Sequence, residues 1–207
     1  ETHGFNPKKT LLIIDEAHNL PSRTADALSI ELSAYAWESL QEGILETYAS
    51  NCLKAIGKDI LKFLKTLKGK TILNATQTYT LQDLFDDFSQ ELNETPIYNH
   101  DIPQKDLSLI YSIPKAKDIL SNQAENFIIW SPKEQTLKLN CLDPSEWISE
   151  CLKPFASTIQ MSATLDPIDN HLKLIGLSNL ESTIAIGHAP WRADAYSIAM
   201  WRCAPFA

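Results

Sequence analysis

Hydrophobic and polar positions change their spacing twice along this chain. Residues 10–14 (TLLII) are a short, mostly apolar run, the pattern of a strand in a parallel sheet covered on both faces. Pro21 and Ser22 interrupt the run. From about residue 24 to residue 125 the texture is helical. The stretch SIELSAYAWESLQEGILETYA (29–49) carries apolar residues at helical spacing, and residues 51–67 form a second amphipathic stretch. Thr80 predicts an N-cap for LQDLFDDFSQEL. AKDILSNQAENF (116–127) gives a further helix, and polar, Pro-bearing connections such as NETPIYNHDIPQ separate these elements.

From residue 126 the alternation of a sheet returns. FIIWS, PKEQ and TLKLNCL predict a hairpin. Asp143-Pro144-Ser145 opens a helix that ends near Cys151, with Pro144 close to its first position. Ser157 to Met161 is another strand. Asp166-Pro167 opens a helix through Leu174, stopped by Gly176, and Ser182 to Ile186 predicts one more strand. No internal repeat and no low-complexity segment is present. The two ends therefore read as α/β and the middle as helical, which is most simply one α/β layer carrying a helical insertion.

The first strand runs straight into two acids: LLIIDEAH, residues 11–18. A carboxylate at the carboxyl end of a parallel strand faces the crevice where α/β proteins bind ligands. Asp15 there suits Mg²⁺, which keeps much of its water shell and takes few protein ligands when phosphates supply the rest. Glu16 suits a role in orienting the water that attacks a γ-phosphate. Acids also favour a helix N-terminus, so the Asp-Glu pair alone leaves both readings open.

The longer string carries more. IIDEAHNL resembles motif II, the Walker B element, of a DEAH-type superfamily 2 helicase, and MSATL (161–165) resembles motif III of the same motor. The resemblance implies that Asp15 holds Mg²⁺, that Glu16 positions the water, and that His18, Ser162, Ala163 and Thr164 couple ATP hydrolysis to the grip on nucleic acid. More than a hundred residues separate the two motifs, and a structureless loop of that length has no place in a compact domain. The spacing resembles the XPD-like and DinG-like iron–sulfur DNA helicases, which carry a mostly helical arch at this point. The run LNCLDPSEWISECLKPFASTIQMSATLDP and the following HLKLIGL agree with that family. The fold class implied is α/β: part of a RecA-like motor domain with the parallel sheet of P-loop NTPases, interrupted by a helical arch. The boundaries expected are 1–23 for the motor segment with the DEAH box, 24–125 for the arch, and 126–207 for the motor segment with the hairpin and the SAT motif.

This family unwinds DNA by ATP-driven translocation on single-stranded DNA, with 5′ to 3′ polarity, in repair or replication. The sequence holds no G-x-x-x-x-G-K-[ST] phosphate loop and no second motor domain. The chain is therefore expected to be a helicase fragment that does not hydrolyse ATP alone. An iron–sulfur cluster in the parent would be bound by cysteines preceding Glu1. The tail MWRCAPFA departs from the continuation expected. The rival reading is a non-catalytic nucleic-acid- or protein-binding module of a degenerate helicase-like scaffold.

Composition narrows the picture further. Hydrophobic residues make up 44% and charged residues 21% of the 207, as in a globular protein with a real core. The net charge of -8 argues against a protein that coats nucleic acid generally. No apolar run approaches the ~18 residues of a membrane span, and no secretory signal pattern opens the chain, so no membrane partner is expected. Cys52, Cys141, Cys151 and Cys203 form no CxxC pair and no zinc-ligand spacing with histidine, which predicts reduced thiols in a cytosolic protein; the location expected is cytoplasmic, the bacterial cytosol or nucleoid.

Lys54, Lys58, Lys62, Lys65 and Lys68 recur every three or four residues, opposite Leu53, Ile56, Ile60, Leu64 and Leu67. They are candidates for contact with a single DNA strand passing beneath the arch. An ordinary solvated face looks the same, and no aromatic residue interleaves with them. The arch could equally dock a protein partner. Tyr35, Trp37, Tyr48, Phe85 and Phe88 are expected in the arch core, and His3, His100, His171 and His188 at the surface or in loops.

Overall fold

A computed structural model describes residues 6–178 except Tyr98, Gln123 and Asp166. The strand expected at 182–186 and the 200–207 tail lie outside the described residues, as do His3, His188 and Cys203. The chain begins with β1 (Leu11–Ile14), α1 (Leu20–Leu28), β2 (Ile30–Ser33), α2 (Ala34–Leu40) and α3 (Glu46–Tyr48). It continues through α4 (Asn51–Thr66), β3 (Thr71–Ile72), α5 (Ala75–Glu94) and α6 (Gln104–Asn122). The hairpin β4 (Phe127–Ser131) and β5 (Thr136–Cys141) follows, then α7 (Ser145–Leu152), β6 (Ser157–Gln160) and α8 (Ile168–Leu174).

The first and last strands meet. β1 and β6 pair in parallel, with Leu11 opposite Ser157 and Ile14 opposite Gln160. A small cluster of Ile148, Leu152 and Ile175 packs beneath them with Leu12, Ile14, Leu20, Leu172 and Leu177. Leu12 and Ile14 face this cluster, while Leu11 and Ile13 keep 51% and 57% of their surface. The expectation of a strand covered on both faces is thus met on one face only. Among the described residues the parallel sheet has two strands, and its helices lie on one side.

A second sheet is antiparallel, in the order β2-β5-β4-β3. Its inner residues, among them Ile30, Leu32, Leu137 and Leu139, join the main core with Trp37, Leu53, Ile60, Phe85, Phe88, Ile110 and Ile113. The hairpin read from 127–142 is present, but it hydrogen-bonds to β2 and β3 of the 24–125 stretch rather than to the parallel pair.

The helical reading of 29–49 fails at its start. Ile30 and Leu32 alternate with exposed or half-buried neighbours and pair with Leu139 and Leu137, so period two wins over helical spacing where a strand partner exists. Ser33 then caps α2, its Oγ accepting from Ala36 N (3.2 Å). Two other helices start earlier than their local signals. α5 is capped by Asn74 in a reciprocal box with Gln77, which leaves Thr80 inside the helix. α6 runs back through Pro114 to Gln104. The helix start at Pro144 and the stop at Gly176 are as read. Gly176 has φ +70°, and a Cβ there would come within 2.5 Å of Ser145 O, so glycine alone lets this turn close on α7.

Candidate functional site

The site is built from two turns that leave neighbouring parallel strands on the same side. After Ile14 the chain does not enter a helix directly. Glu16 takes a left-handed backbone (φ 52°, ψ 42°), which costs a non-glycine residue about 1–2 kcal/mol. Local bonds hold it there: Glu16 N donates to Asp15 Oδ1 (2.9 Å), and Ala17, fully buried, donates its N–H to Met161 O (3.0 Å). Met161 N in turn donates to Ile14 O (2.9 Å). Backbone bonds thus tie the 15–18 turn to the end of β6.

This brings together residues far apart in sequence. His18 Nδ1 lies 2.7 Å from Ser162 Oγ and 3.2 Å from Glu16 Oε2. Ser162 Oγ accepts from Thr164 N at 3.3 Å and stands 3.5 Å from both Thr164 Oγ1 and Glu16 Oε2. With the Nδ1 proton aimed at the hydroxyl, the hydroxyl proton is directed to the Glu16 carboxylate, at the long limit of a hydrogen bond. Ala163 sits in the turn between the two hydroxyl residues. Glu16, His18, Ser162 and Thr164 therefore form one contiguous polar chain.

Asp15 is exposed beside this chain at the end of β1. No group of three or more His, Cys, Asp or Glu able to hold a metal gathers among the described residues. An exposed carboxylate at the carboxyl end of a parallel strand is nevertheless a donor that fits Mg²⁺, because that ion takes one or two carboxylates and completes its shell from water and phosphate. The described cysteines do not gather into such a group either. A hydrogen bond with the Glu91 carboxylate raises the Cys52 pKa, and burial raises that of Cys141, both of which keep a thiol unreactive.

One supporting residue was missed in the sequence. His171 was expected at the surface, yet it is 9% exposed and its Nε2 donates to Gln160 Oε1 (2.7 Å) at the last position of β6. Its place one turn into α8, ahead of Leu172 and Leu174, gave no sign of a partner in β6. Burial, and then the nearby His18, lower its pKa below 6.5. A histidine that resists protonation only in the folded state contributes stability above its unfolded pKa, and that contribution is lost as pH falls from about 6.5 toward the folded value. His171→Gln is accordingly expected to flatten the acid limb of stability below about pH 6.5, measured as the urea midpoint against pH. An unchanged acid limb would refute this role.

The lysine row divides. Lys54 is 3.5 Å from Glu46, Lys62 2.8 Å from Asp59 and Lys65 2.6 Å from Glu38. Lys58 and Lys68 have no acidic partner among the described residues, and both are exposed. Lys68 lies past the end of α4, where its backbone forms an isolated antiparallel β-bridge with that of Glu134. Leu53, Ile60, Leu64 and Leu67 are buried opposite, as the spacing predicted. Trp37, Phe85 and Phe88 are core, but Tyr35 and Tyr48 are 85% and 42% exposed.

No family model matches this sequence, and no curated protein matches it. Solved structures do match. One is a truncated XPD at 15% identity and TM-score 0.50, aligned over 88% of this chain and 52% of that one. An XPD helicase structure aligns at 16% identity and TM-score 0.47, over 84% and 30% of the two chains. An apo XPD structure aligns at 19% and 0.48, over 84% and 34%. The chain thus spans between about a third and half of the structures it resembles. The likeness is one of fold: this is a mixed α/β chain with a parallel strand pair and many helices. Its particular likeness is to part of an XPD helicase.

Proposed function

We propose that this chain is the part of an ATP-dependent DNA helicase that joins the nucleotide site to the grip on single-stranded DNA. The observation that supports this reading is the 2.7 Å approach of His18 to Ser162 across 144 residues of sequence. Two turns so placed can sense each other. Asp15 would hold Mg²⁺, which supplies charge neutralisation to the phosphates when bound. Glu16 orients the attacking water and accepts its proton. His18 links Glu16 to Ser162, so a movement of the carboxylate alters the hydrogen bonds of the SAT turn. The parent would translocate 5′ to 3′ in the cytoplasm, in repair or replication, with the arch in 24–125 guiding the strand or docking a partner. Any iron–sulfur cluster would lie outside this chain.

Coupling can be separated from chemistry. In the parent protein, His18→Ala and Ser162→Ala are each expected to leave basal ATP hydrolysis within a few-fold while removing most of its stimulation by single-stranded DNA. The double variant should do no worse than either single one, because the two residues act through one contact. Additive losses would show that the contact transmits nothing. Phosphate contact is assigned to Lys58 and Lys68, the two lysines of the row without acidic partners. Replacing both with Glu should lower the slope of log affinity against log salt by about 1.4, at about 0.7 per single-strand phosphate contact. An unchanged slope would make the row a solvated face.

A further inference from the structure

Among the described residues β2 is an edge strand of the four-stranded sheet, and its register shows which of its backbone groups are engaged. Ala34 N donates to Gln135 O (2.8 Å), and this pair continues the register Ile30↔Leu139 and Leu32↔Leu137. Hydrogen-bonded pairs alternate in an antiparallel ladder, so Ile30 and Leu32 exchange bonds with β5 while Glu31 and Ser33 turn their N–H and C=O away from it. Ser33 ends the strand by capping α2. The N–H and C=O of Glu31 have no partner among the described residues.

This edge borders a shallow, open groove of about 470 Å³. Ser29 and Glu31 line one wall, and Lys105, Ser108, Ser112 and Lys115 of α6 line the other. Spacings of three and four place these α6 residues on one face, and that face carries no acid. The two lysines are separated by about 15 Å of helix axis, the reach of about four to five residues of extended chain. Neither forms an ion pair among the described residues. Lys115 Nζ donates to Ala27 O (2.6 Å), and burial lowers its pKa, so an arriving carboxylate would relieve a poorly solvated ammonium. Glu31, the one acid among the described residues of the walls, is already engaged with Lys133 at 3.5 Å. A cationic groove in a chain of net charge -8 is a local feature rather than a general one.

We propose that this groove binds an extended acidic segment of a partner protein, which adds a strand to β2 through the Glu31 backbone and sets carboxylates against Lys105 and Lys115. A free N–H and C=O on one residue of a strand edge are complementary to another polypeptide backbone, a match that nucleic acid does not offer. The proposal is independent of the helicase reading, since it uses neither the DEAH turn nor the SAT turn.

The test uses the 207-residue chain and a capped octapeptide alternating valine and glutamate, beside its valine–lysine counterpart. Calorimetry should show the acidic peptide binding at least tenfold more tightly than the basic one. Exchange of the Glu31 amide should slow about tenfold on binding. Glu31→Pro removes an N–H that the ladder does not use, so the sheet is kept and binding should fall tenfold or more. Lys105→Glu, at an exposed helical position, should weaken binding similarly whether or not the proline variant folds. Equal affinity for the two peptides, no binding at millimolar peptide, or protection confined to other elements would overturn the proposal. Displacement of the peptide by a single-stranded oligonucleotide would also overturn it, assigning the groove to nucleic acid.

Discussion

Glu16→Gln in the parent protein is expected to lower single-strand-stimulated ATP hydrolysis by about a hundredfold to ten-thousandfold, the usual range for loss of a positioned general base. The substitution is nearly isosteric. The amide still reaches His18 and Ser162 but no longer accepts a proton from water. The Glu16 side chain is 64% exposed, so folding should be unaffected. Asp15 is untouched, so nucleotide binding should persist. Steady-state hydrolysis with and without single-stranded DNA, beside binding of a fluorescent nucleotide, checks both halves. Hydrolysis retained in the variant would remove Glu16 from the chemistry. Bound nucleotide with no hydrolysis even in the unmodified parent would favour the scaffold reading and direct attention to a protein partner.

The left-handed backbone at Glu16 bears on this. A strained residue persists when its surroundings over-determine it, and here the bonds from Glu16 N to Asp15 and from Ala17 N to Met161 do so. The strain keeps the carboxylate next to the SAT turn instead of letting β1 run into a helix. Of the order strand, acid, acid, small residue, histidine, the small residue is the one that packing demands: Ala17 is fully buried while Asp15, Glu16 and His18 are exposed. A larger residue at position 17, which is fully buried, would push the two turns apart.

The parallel pair, the DEAH turn and the SAT turn were legible because each signal is local: an apolar run that stops at charged or hydroxyl residues. Their meeting was legible only through resemblance, since nothing within either segment points to the other. β2 was illegible for the opposite reason. Ile30 and Leu32 stand two apart, a strand spacing, but four residues are too short a run to outweigh the helical pattern that follows them, and the partner that decides the choice, β5, lies more than a hundred positions away. The lysine row looked uniform because spacing reports a face and not its neighbours. Glu46, Asp59 and Glu38, which take three of the five, come from α3, the same helix and α2. Of these only Asp59 stands at a helical interval that the sequence displays. His171 was missed because its partner, Gln160, lies on another element.

Trp37→Ala is expected to cost about 3–5 kcal/mol of unfolding free energy, the range for deleting a buried large aromatic. That is a large fraction of the about 5–15 kcal/mol that holds a domain together. Trp37 is 0% exposed. Its ring meets Phe88 edge-on at 5.6 Å and 61°, and its Nε1 donates to Gly57 O (2.8 Å). One side chain therefore fastens α2 to both α4 and α5. Gly57 permits the approach, because a Cβ there would press on Gln41 and Leu45. Trp37→Phe keeps most of the packing and loses the indole bond, so about 1–2 kcal/mol is expected for it. Guanidinium unfolding followed by far-ultraviolet circular dichroism distinguishes the two. Because the core beneath β1 and β6 contains none of these residues, the alanine variant should unfold its helical part first, giving a broadened or two-step transition. A single transition at the original midpoint would show that α2 does not hold the main core together.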